Sequence, residues 1–156
     1  MKLSEILYPY VENGLSYKGS KIPDVPVFYL SIKREERVHE LAGRAIVDTG
    51  FDGGILPNEN IILYFEGIDP DDHDEIEVFG QIVPVELYIV DAWLVREAEG
   101  KPTKEKLLQL RPIRVFIPTR PEFISEEVLI GREALNNIAF CLNGKLSKIE
   151  GRPPKI

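Results

Sequence analysis

Residues 44–54 read RAIVDTGFDGG, so an apolar run delivers a carboxylate directly into a glycine-rich turn. A buried strand that ends on Asp48 would hold a reactive acid in a fixed position. Gly50 lacks a Cβ and therefore leaves room for backbone amides and an opposing loop to approach that acid. Thr49 adds a hydroxyl group that can brace such a loop. These three residues are the first candidates for chemistry.

The chemistry that this acid suggests is hydrolysis of a peptide bond by two carboxyl groups. Two carboxyls that share one proton can hold the attacking water, and because like charges that close cannot both ionise, one serves as base and the other as acid. The chain has a single Asp-Thr-Gly and no internal repeat. The second carboxyl must then come from a second chain in a symmetric dimer. The alternative is that Asp48 is an ordinary turn former before glycine.

Residues 128–135 read VLIGREAL, in which apolar residues are followed by glycine, arginine and helix formers. With the apolar strand and Asp-Thr-Gly, this element resembles the retroviral-type (retropepsin-like) aspartic proteases. The resemblance covers roughly residues 25–149. It implies that Leu129 and Ile130 back the active-site loop and that Gly131 permits a tight crossing beneath it. The alternative is a plain core strand that enters a helix.

The resemblance also implies an ion pair that braces the loop. In retroviral-type enzymes, the arginine after this glycine pairs with an acid four residues beyond the catalytic aspartate. Asp52 stands at that offset from Asp48, and Arg132 follows the glycine. A bidentate pair between them would fix the loop geometry. The alternative is two unrelated surface charges.

Residues 75–85 read EIEVFGQIVPV, which predicts two extended runs around a glycine turn. The segment resembles the family's flap hairpin, which closes over bound peptide. The resemblance places Gly80 near a mobile tip and makes Phe79 or Gln81 a substrate contact, while an ordinary surface hairpin is the alternative. Phe51 departs from the family, because the viral enzymes usually carry a small residue beside the substrate there. It is a further candidate for substrate contact.

Segments rich in Val, Ile, Tyr and Phe predict strands at residues 25–32, 44–47, 75–79, 82–94 and 113–117. A helix is predicted after Gly131, with a weaker one at 58–65. The polar segments 67–75 and 96–111 are interpreted as surface loops. We expect one mostly β domain over residues 1–156. As the resemblance implies, it would be a closed or partly open β barrel of the retroviral aspartic protease type, with a short C-terminal helix and assembled as a homodimer.

The composition narrows the classes of partner. The balance of 26 acidic and 19 basic residues gives a net charge of −7 without a basic stripe, so we expect no nucleic acid. No apolar stretch approaches the roughly 18 residues of a membrane span, and the N-terminus lacks a signal-peptide pattern. A cytoplasmic protein with no membrane partner is expected. The single cysteine, Cys141, is interpreted as a small core hydrophobe.

The resemblance implies an aspartic endopeptidase whose water is activated by two Asp48 carboxylates, one from each subunit. No metal or organic cofactor is required, and the partners are a second copy and a peptide or protein substrate. The alternative is a non-catalytic dimeric peptide- or protein-binding domain that retains this fold. A small β barrel with a chance Asp-Thr-Gly would instead be a monomer. The dimer contacts are assigned to the terminal segments, either residues before 25 or the proline-containing tail at 151–156.

Overall fold

The computed structural model describes residues 5–12, 16–17, 20–21 and 23–150. Within these residues the protein is mostly β, as predicted, and no helix is long and apolar enough to cross a membrane. The strands are β1 (Ile6–Pro9), β2 (Ser16–Tyr17), β3 (Ser20–Lys21), β4 (Val27–Lys33), β5 (Leu41–Val47), β6 (Ile55–Leu56), β7 (Asp72–Val78), β8 (Gln81–Ala98), β9 (Lys101–Gln109), β10 (Ile113–Pro118), β11 (Leu129–Ile130), β12 (Phe140–Leu142) and β13 (Leu146–Ile149). The helices are α1 (Glu59–Tyr64), α2 (Arg132–Leu135) and the 3-10 helix Pro121–Phe123. The proposed C-terminal dimer tail, 151–156, lies outside the described residues.

The main sheet has the strand order β10-β6-β11-β5-β4-β8-β7, and β9 also pairs with β8. Antiparallel pairing of β10 with β8 closes six of these strands into a ring. The long strand β8 alternates buried and exposed side chains over its first half, as a strand with one face on the core must. Different parts of this strand pair with β4, β7, β9 and β10.

Strands β5 and β6 follow one another in the chain but are not neighbours in the sheet. Strand β11 lies between them, parallel to β5 and antiparallel to β6. Ile130 is opposite both Val47 and Ile55. The segment that joins β5 to β6, residues 48–54, therefore crosses the end of β11. This topology positions Asp48.

The core consists of two hydrophobic clusters. The larger one fills the ring and includes Phe28, Tyr29, Leu94, Ile113 and Ile130. The smaller one joins the β7–β8 hairpin, β10 and the segment after Asp48. Its buried members and the half-buried side chains around them are Val85, Leu87, Phe116, Phe51, Leu56 and Ile76.

The predicted hairpin at residues 75–85 is confirmed, with a two-residue turn at Phe79 and Gly80. Both have positive φ, 49° and 77°, and Val78 pairs with Gln81 across the turn. The loop predicted for 67–75 is wrong from Asp72 onward, because the backbone there pairs with β8. The carboxylates of Asp72, Asp74 and Glu75 belong to an edge strand, where charged side chains discourage pairing with other chains.

The surface loop predicted for residues 96–111 is also wrong. Strand β8 continues to Ala98, turns at Glu99 and Gly100, and returns as β9. The hairpin satisfies its backbone groups by pairing, and its polar side chains lie on the exposed edge. Arg96 pairs with Glu105 across the two strands, with 2.6 Å between Nε and Oε2.

A separate three-stranded sheet of order β1-β13-β12 joins the first strand to the last two described strands. Strands β12 and β13 pair as an antiparallel hairpin. The ring of Phe140 packs edge to face on Phe28 of β4, with centroids 5.7 Å apart. Cys141 is exposed, so its interpretation as a core residue is wrong. It alternates with Phe140 and lies opposite Lys148, on the outward side of the sheet.

Candidate active site

Asp48 directly follows the last residue of β5 and opens a tight turn. Its backbone N–H donates to the carbonyl of Ile130 at 3.0 Å, and its own carbonyl accepts the N–H of Phe51 at 3.2 Å. Its Oδ1 atom accepts the N–H of Gly50 at 2.9 Å, which orients the carboxylate. The Asp48 side chain is half-buried, while Thr49 and Gly50 are exposed. The acid is thus rigidly held yet open to a partner.

The start of α2 fastens the segment 48–54 from below. Three successive amides donate to carbonyls of that segment: Gly131 to Gly54 at 2.8 Å, Arg132 to Phe51 at 2.8 Å and Glu133 to Gly53 at 3.2 Å. The first amides of a helix have no partner within the helix, so the loop carbonyls satisfy them. With the bond from Asp48 to Ile130, four backbone hydrogen bonds hold the loop to β11 and α2.

Two glycines are required where segment 48–54 closely approaches the backbone of α2 and of β10. A Cβ on Gly131 would lie 2.4 Å from the Gly53 carbonyl oxygen and 2.5 Å from that of Phe51. A Cβ on Gly54 would lie 2.5 Å from the carbonyl oxygen of Arg114. Backbone atoms cannot move aside as a flexible side chain can, so only glycine fits at these positions. Leu129 and Ile130 lie beneath the loop, between β5 and β6.

Phe51, predicted as a substrate contact, lies in the smaller hydrophobic cluster. Its ring meets Phe116 edge to face and covers Gly53, whose Cβ would come within 2.5 Å of the ring. Ile76 and Val85 of the β7–β8 hairpin belong to the same cluster. The ring therefore connects the Asp48 loop to the base of the hairpin rather than standing free above the acid.

The predicted ion pair between Asp52 and Arg132 is not formed in the structure. Both residues are exposed, and neither side chain makes an ion pair or hydrogen bond within the described residues. Arg132 is hydrogen-bonded to the loop through its backbone amide. That amide secures the start of the helix, and the two charged side chains lie in solvent.

A different ion pair braces the site, between Arg114 of β10 and Glu133 of α2. Arg114 Nη2 and Nε lie 2.7 Å and 3.0 Å from Glu133 Oε2, and the Arg114 amide donates to Oε1 at 2.9 Å. The Glu133 carboxylate raises the pKa of Arg114 above its ordinary value. Sequence reasoning missed this pair because its members are 19 residues apart and share no local motif.

The tip of the β7–β8 hairpin is apolar and exposed. Phe79 is 100% exposed and Ile82 is 65% exposed, and Gly80 and Gln81 are exposed beside them. The positive φ of Phe79 is rare for a bulky residue. The tip thus presents apolar surface in a strained turn, at the free end of the hairpin whose base packs on Phe51.

Two cavities formed by described residues have linings that do not include Asp48. One of about 540 Å³ is lined by parts of β5 and α1 and by residues 126–128, and one of about 740 Å³ is lined by residues 33–37 and 67–71 among others. No group of three or more His, Cys, Asp or Glu side chains in the described ranges is placed to hold a metal ion. The Asp48 side chain itself is half-buried.

No protein-family model, curated protein or solved structure matches the chain. The function is therefore inferred from the geometry of the chain itself. One carboxylate, fixed by backbone hydrogen bonds on an exposed loop beside an apolar hairpin, is suited to act with a second carboxylate brought by another molecule.

Proposed function

We propose that the protein is an aspartic endopeptidase of the retroviral type, active as a homodimer with one Asp48 from each subunit. The observation that carries this proposal is the insertion of β11 between β5 and β6. It places Asp48 on a loop held by four backbone hydrogen bonds while its carboxylate stays half-exposed. The sheet ring and the short helix α2 agree with the fold that the resemblance implies.

In the proposed mechanism, the two Asp48 carboxyls share one proton at the dyad. The ionised carboxylate removes a proton from a water molecule, whose oxygen attacks the peptide carbonyl carbon. The protonated carboxyl gives its proton to the carbonyl oxygen, which forms a tetrahedral diol. On collapse the C–N bond breaks, the leaving nitrogen takes a proton from the first carboxyl, and a diol hydroxyl returns one to the second. Water and peptide supply all the atoms of the products.

The loop geometry supports this role because carboxyl pairs act only when their separation is fixed. The hydrogen bond from Gly50 to Asp48 Oδ1 and the contact of Phe51 with Phe116 limit movement of the loop. Residues held on rigid elements retain productive geometry better than those on free loops. Thr49 is exposed next to the acid, where it can brace the opposite loop of the dimer.

The β7–β8 hairpin supports binding of an extended peptide. Its base packs on Phe51 in the smaller cluster, and its apolar tip at Phe79 and Ile82 is open to solvent. A hairpin anchored beside the acid and apolar at its free end is suited to cover a bound chain. The same tip favours a second candidate function, a dimeric domain that binds peptides or proteins without cutting them.

The test is cleavage of a diverse peptide pool by the wild type, by Asp48→Asn and by Asp52→Asn, across acidic to neutral pH. Asp52→Asn is the matched control, because it removes an exposed carboxylate from the same loop. We expect the wild type and Asp52→Asn to cut the same bonds and Asp48→Asn to cut none. Peptides retained but left intact by a dimeric wild type would favour the binding domain, and cleavage by Asp48→Asn would refute the mechanism.

A further inference from the structure

We infer that strand β12 is the seam at which two copies of this chain join, with Cys141 at the two-fold axis. The inference rests on the proposed function, because that function requires a second Asp48. It names the partner, a second copy, and the surface that receives it.

Among the described residues, β12 is a sheet edge without proline or charged side chains, and only its length of three residues limits pairing with another chain. Edge strands normally carry proline or charged side chains that prevent pairing with another chain. In the described part of the chain, β1 contains Pro9, and β7 and β9 each carry four charged side chains. Strand β12, by contrast, consists of Phe140, Cys141 and Leu142 and has neither. Cys141 is exposed and Leu142 is 36% exposed.

The hydrogen bonds of β12 leave its outer side ready for a symmetric partner. The Asn143 N–H donates to Leu146 and the Glu150 N–H donates to Ala139. Bonded pairs in an antiparallel ladder recur at every second residue, so Cys141 directs its backbone groups towards β13. Phe140 and Leu142 therefore direct theirs outward.

Two such edges fit each other about a two-fold axis through Cys141. Phe140 would then exchange hydrogen bonds with the partner subunit's Leu142, and the reverse pair would follow by symmetry. The two cysteines would form a non-hydrogen-bonded pair, with Cα atoms about 4.5 Å apart. The result is a continuous six-stranded sheet made from two copies of β1-β13-β12.

The seam lies at the end of the molecule that carries the acid. Phe140 packs on Phe28 of β4, and Phe28 pairs with Ala45 of β5, three residues before Asp48. The Val47 N–H also donates to the carbonyl of Pro26, just before β4. The seam is therefore connected through β4 to the end of β5 that precedes Asp48.

The native cysteine provides the first test. A Cα separation of about 4.5 Å is within the range of a disulfide, so mild oxidation of the dimer should link the two chains through Cys141. The control carries Cys141→Ser with Leu7→Cys, which moves the thiol to the exposed edge strand β1 of the same sheet. We expect rapid linkage of the wild type and none of the control. Linkage of the control alone, or of neither dimer, would overturn the inference.

A second test removes a backbone hydrogen-bond donor from the seam. Leu142→Pro removes an outward N–H from β12. Leu7→Pro is the matched control on β1, because the bond from the Tyr10 N–H to Lys145 places Tyr8 and Ile6 in bonded pairs and leaves the Leu7 N–H outward. We expect Leu142→Pro to sediment as a monomer and Leu7→Pro as a dimer, both with wild-type circular dichroism. If Leu142→Pro misfolds, the oxidation test decides alone.

The outcomes separate the seam from the catalytic proposal. A dimeric Leu142→Pro that still cuts peptides would overturn the seam alone, and the Asp48→Asn comparison would judge the protease independently. A wild type that sediments only as a monomer would overturn both the seam and the homodimeric protease. A wild type that links through Cys141 but cuts nothing would support the seam and refute the protease.

Discussion

The ring of Phe51 meets the ring of Phe116 edge to face, with centroids 5.5 Å apart and an angle of 81° between the planes. The contact connects the Asp48 loop to β10 and the base of the β7–β8 hairpin. Phe51→Ala should lower the free energy of unfolding by about 2 kcal/mol, less than for a fully buried phenylalanine because the ring is half-buried. Urea unfolding measures the change.

The matched control for Phe51 is Phe79→Ala, which removes the same ring from a fully exposed position. We expect it to change the free energy of unfolding by less than about 0.5 kcal/mol. Equal losses in the two variants would show that Phe51 does not hold the loop.

Gly131→Ala should be the most damaging single-methyl change near the site. The new Cβ would meet two backbone carbonyl oxygens, of Gly53 and Phe51, at 2.4 Å and 2.5 Å. Relief of that overlap requires the loop and β11 to separate, so we expect a loss of about 3 kcal/mol in unfolding free energy. We also expect loss of any cleavage that depends on Asp48.

Gly43→Ala is the control for the glycine substitution. Gly43 lies in β5, its Cβ would meet nothing within 4 Å, and its φ is not positive. An alanine there restricts the unfolded chain and should stabilise the protein by about 0.4 to 1 kcal/mol. A thermal unfolding series would contradict the close-approach argument if Gly131→Ala melted no lower than Gly43→Ala.

The elements that depend on short local sequence patterns could be predicted from the sequence. The strand before Asp48, the turn at Gly80 and the helix after Gly131 each depend on a few adjacent residues, and each is present in the structure. The crossing of β11 beneath the loop was an expectation of the resemblance rather than of the residues themselves. Its physical signature is the glycine at 131, where a Cβ finds no space.

The features that sequence reasoning missed depend on partners far away in the chain. Strand β9 has the polar composition of a loop, and only its pairing with β8 makes it extended. Arg114 and Glu133 share no pattern, whereas Arg132 suggested a pair with Asp52 that the structure does not form. Local composition does not determine which long-range partner a charged side chain finds, because exposed ion pairs differ little in energy.

Glu133→Gln tests the ion pair that replaces the expected one. The change weakens the bonds from Arg114 to Glu133 Oε2 at 2.7 Å and 3.0 Å. The Arg114 side chain is 41% exposed, so we expect a loss of only about 1 kcal/mol in unfolding free energy, and a smaller loss at high salt. Arg132→Gln is the control and should fall within about 0.5 kcal/mol of the wild type. If Arg132→Gln lost more than Glu133→Gln, the assignment of the brace would be wrong.

Tyr88 gives the chain a defined loss of stability in alkali. Burial, followed by the hydrogen bond and charge of Glu86, raises the pKa of Tyr88 from 10.0 to about 12. A raised pKa contributes stability that is present below pH 10 and lost as the pH rises towards 12, and a rise of this size corresponds to roughly 2 to 3 kcal/mol. Burial also raises the pKa values of Tyr8, Tyr29 and Tyr64, so Tyr88 accounts for part of the loss.

Tyr88→Phe should therefore change both the level and the slope of stability against pH. At neutral pH the variant loses the hydroxyl bonds to Ile68 and Glu86, each 3.1 Å long, and should be less stable than the wild type by about 1 kcal/mol. Above pH 10 it cannot form a buried phenolate, so its stability should fall less steeply and the two curves should converge or cross. Glu86→Gln removes the charge of Glu86, one of the smaller causes of the raised Tyr88 pKa. Its stability should fall with pH at an intermediate slope, because Tyr88 remains buried. Urea unfolding at a series of alkaline pH values measures all three proteins, and parallel curves for wild type and Tyr88→Phe would show that Tyr88 ionises alike in the folded and unfolded chains.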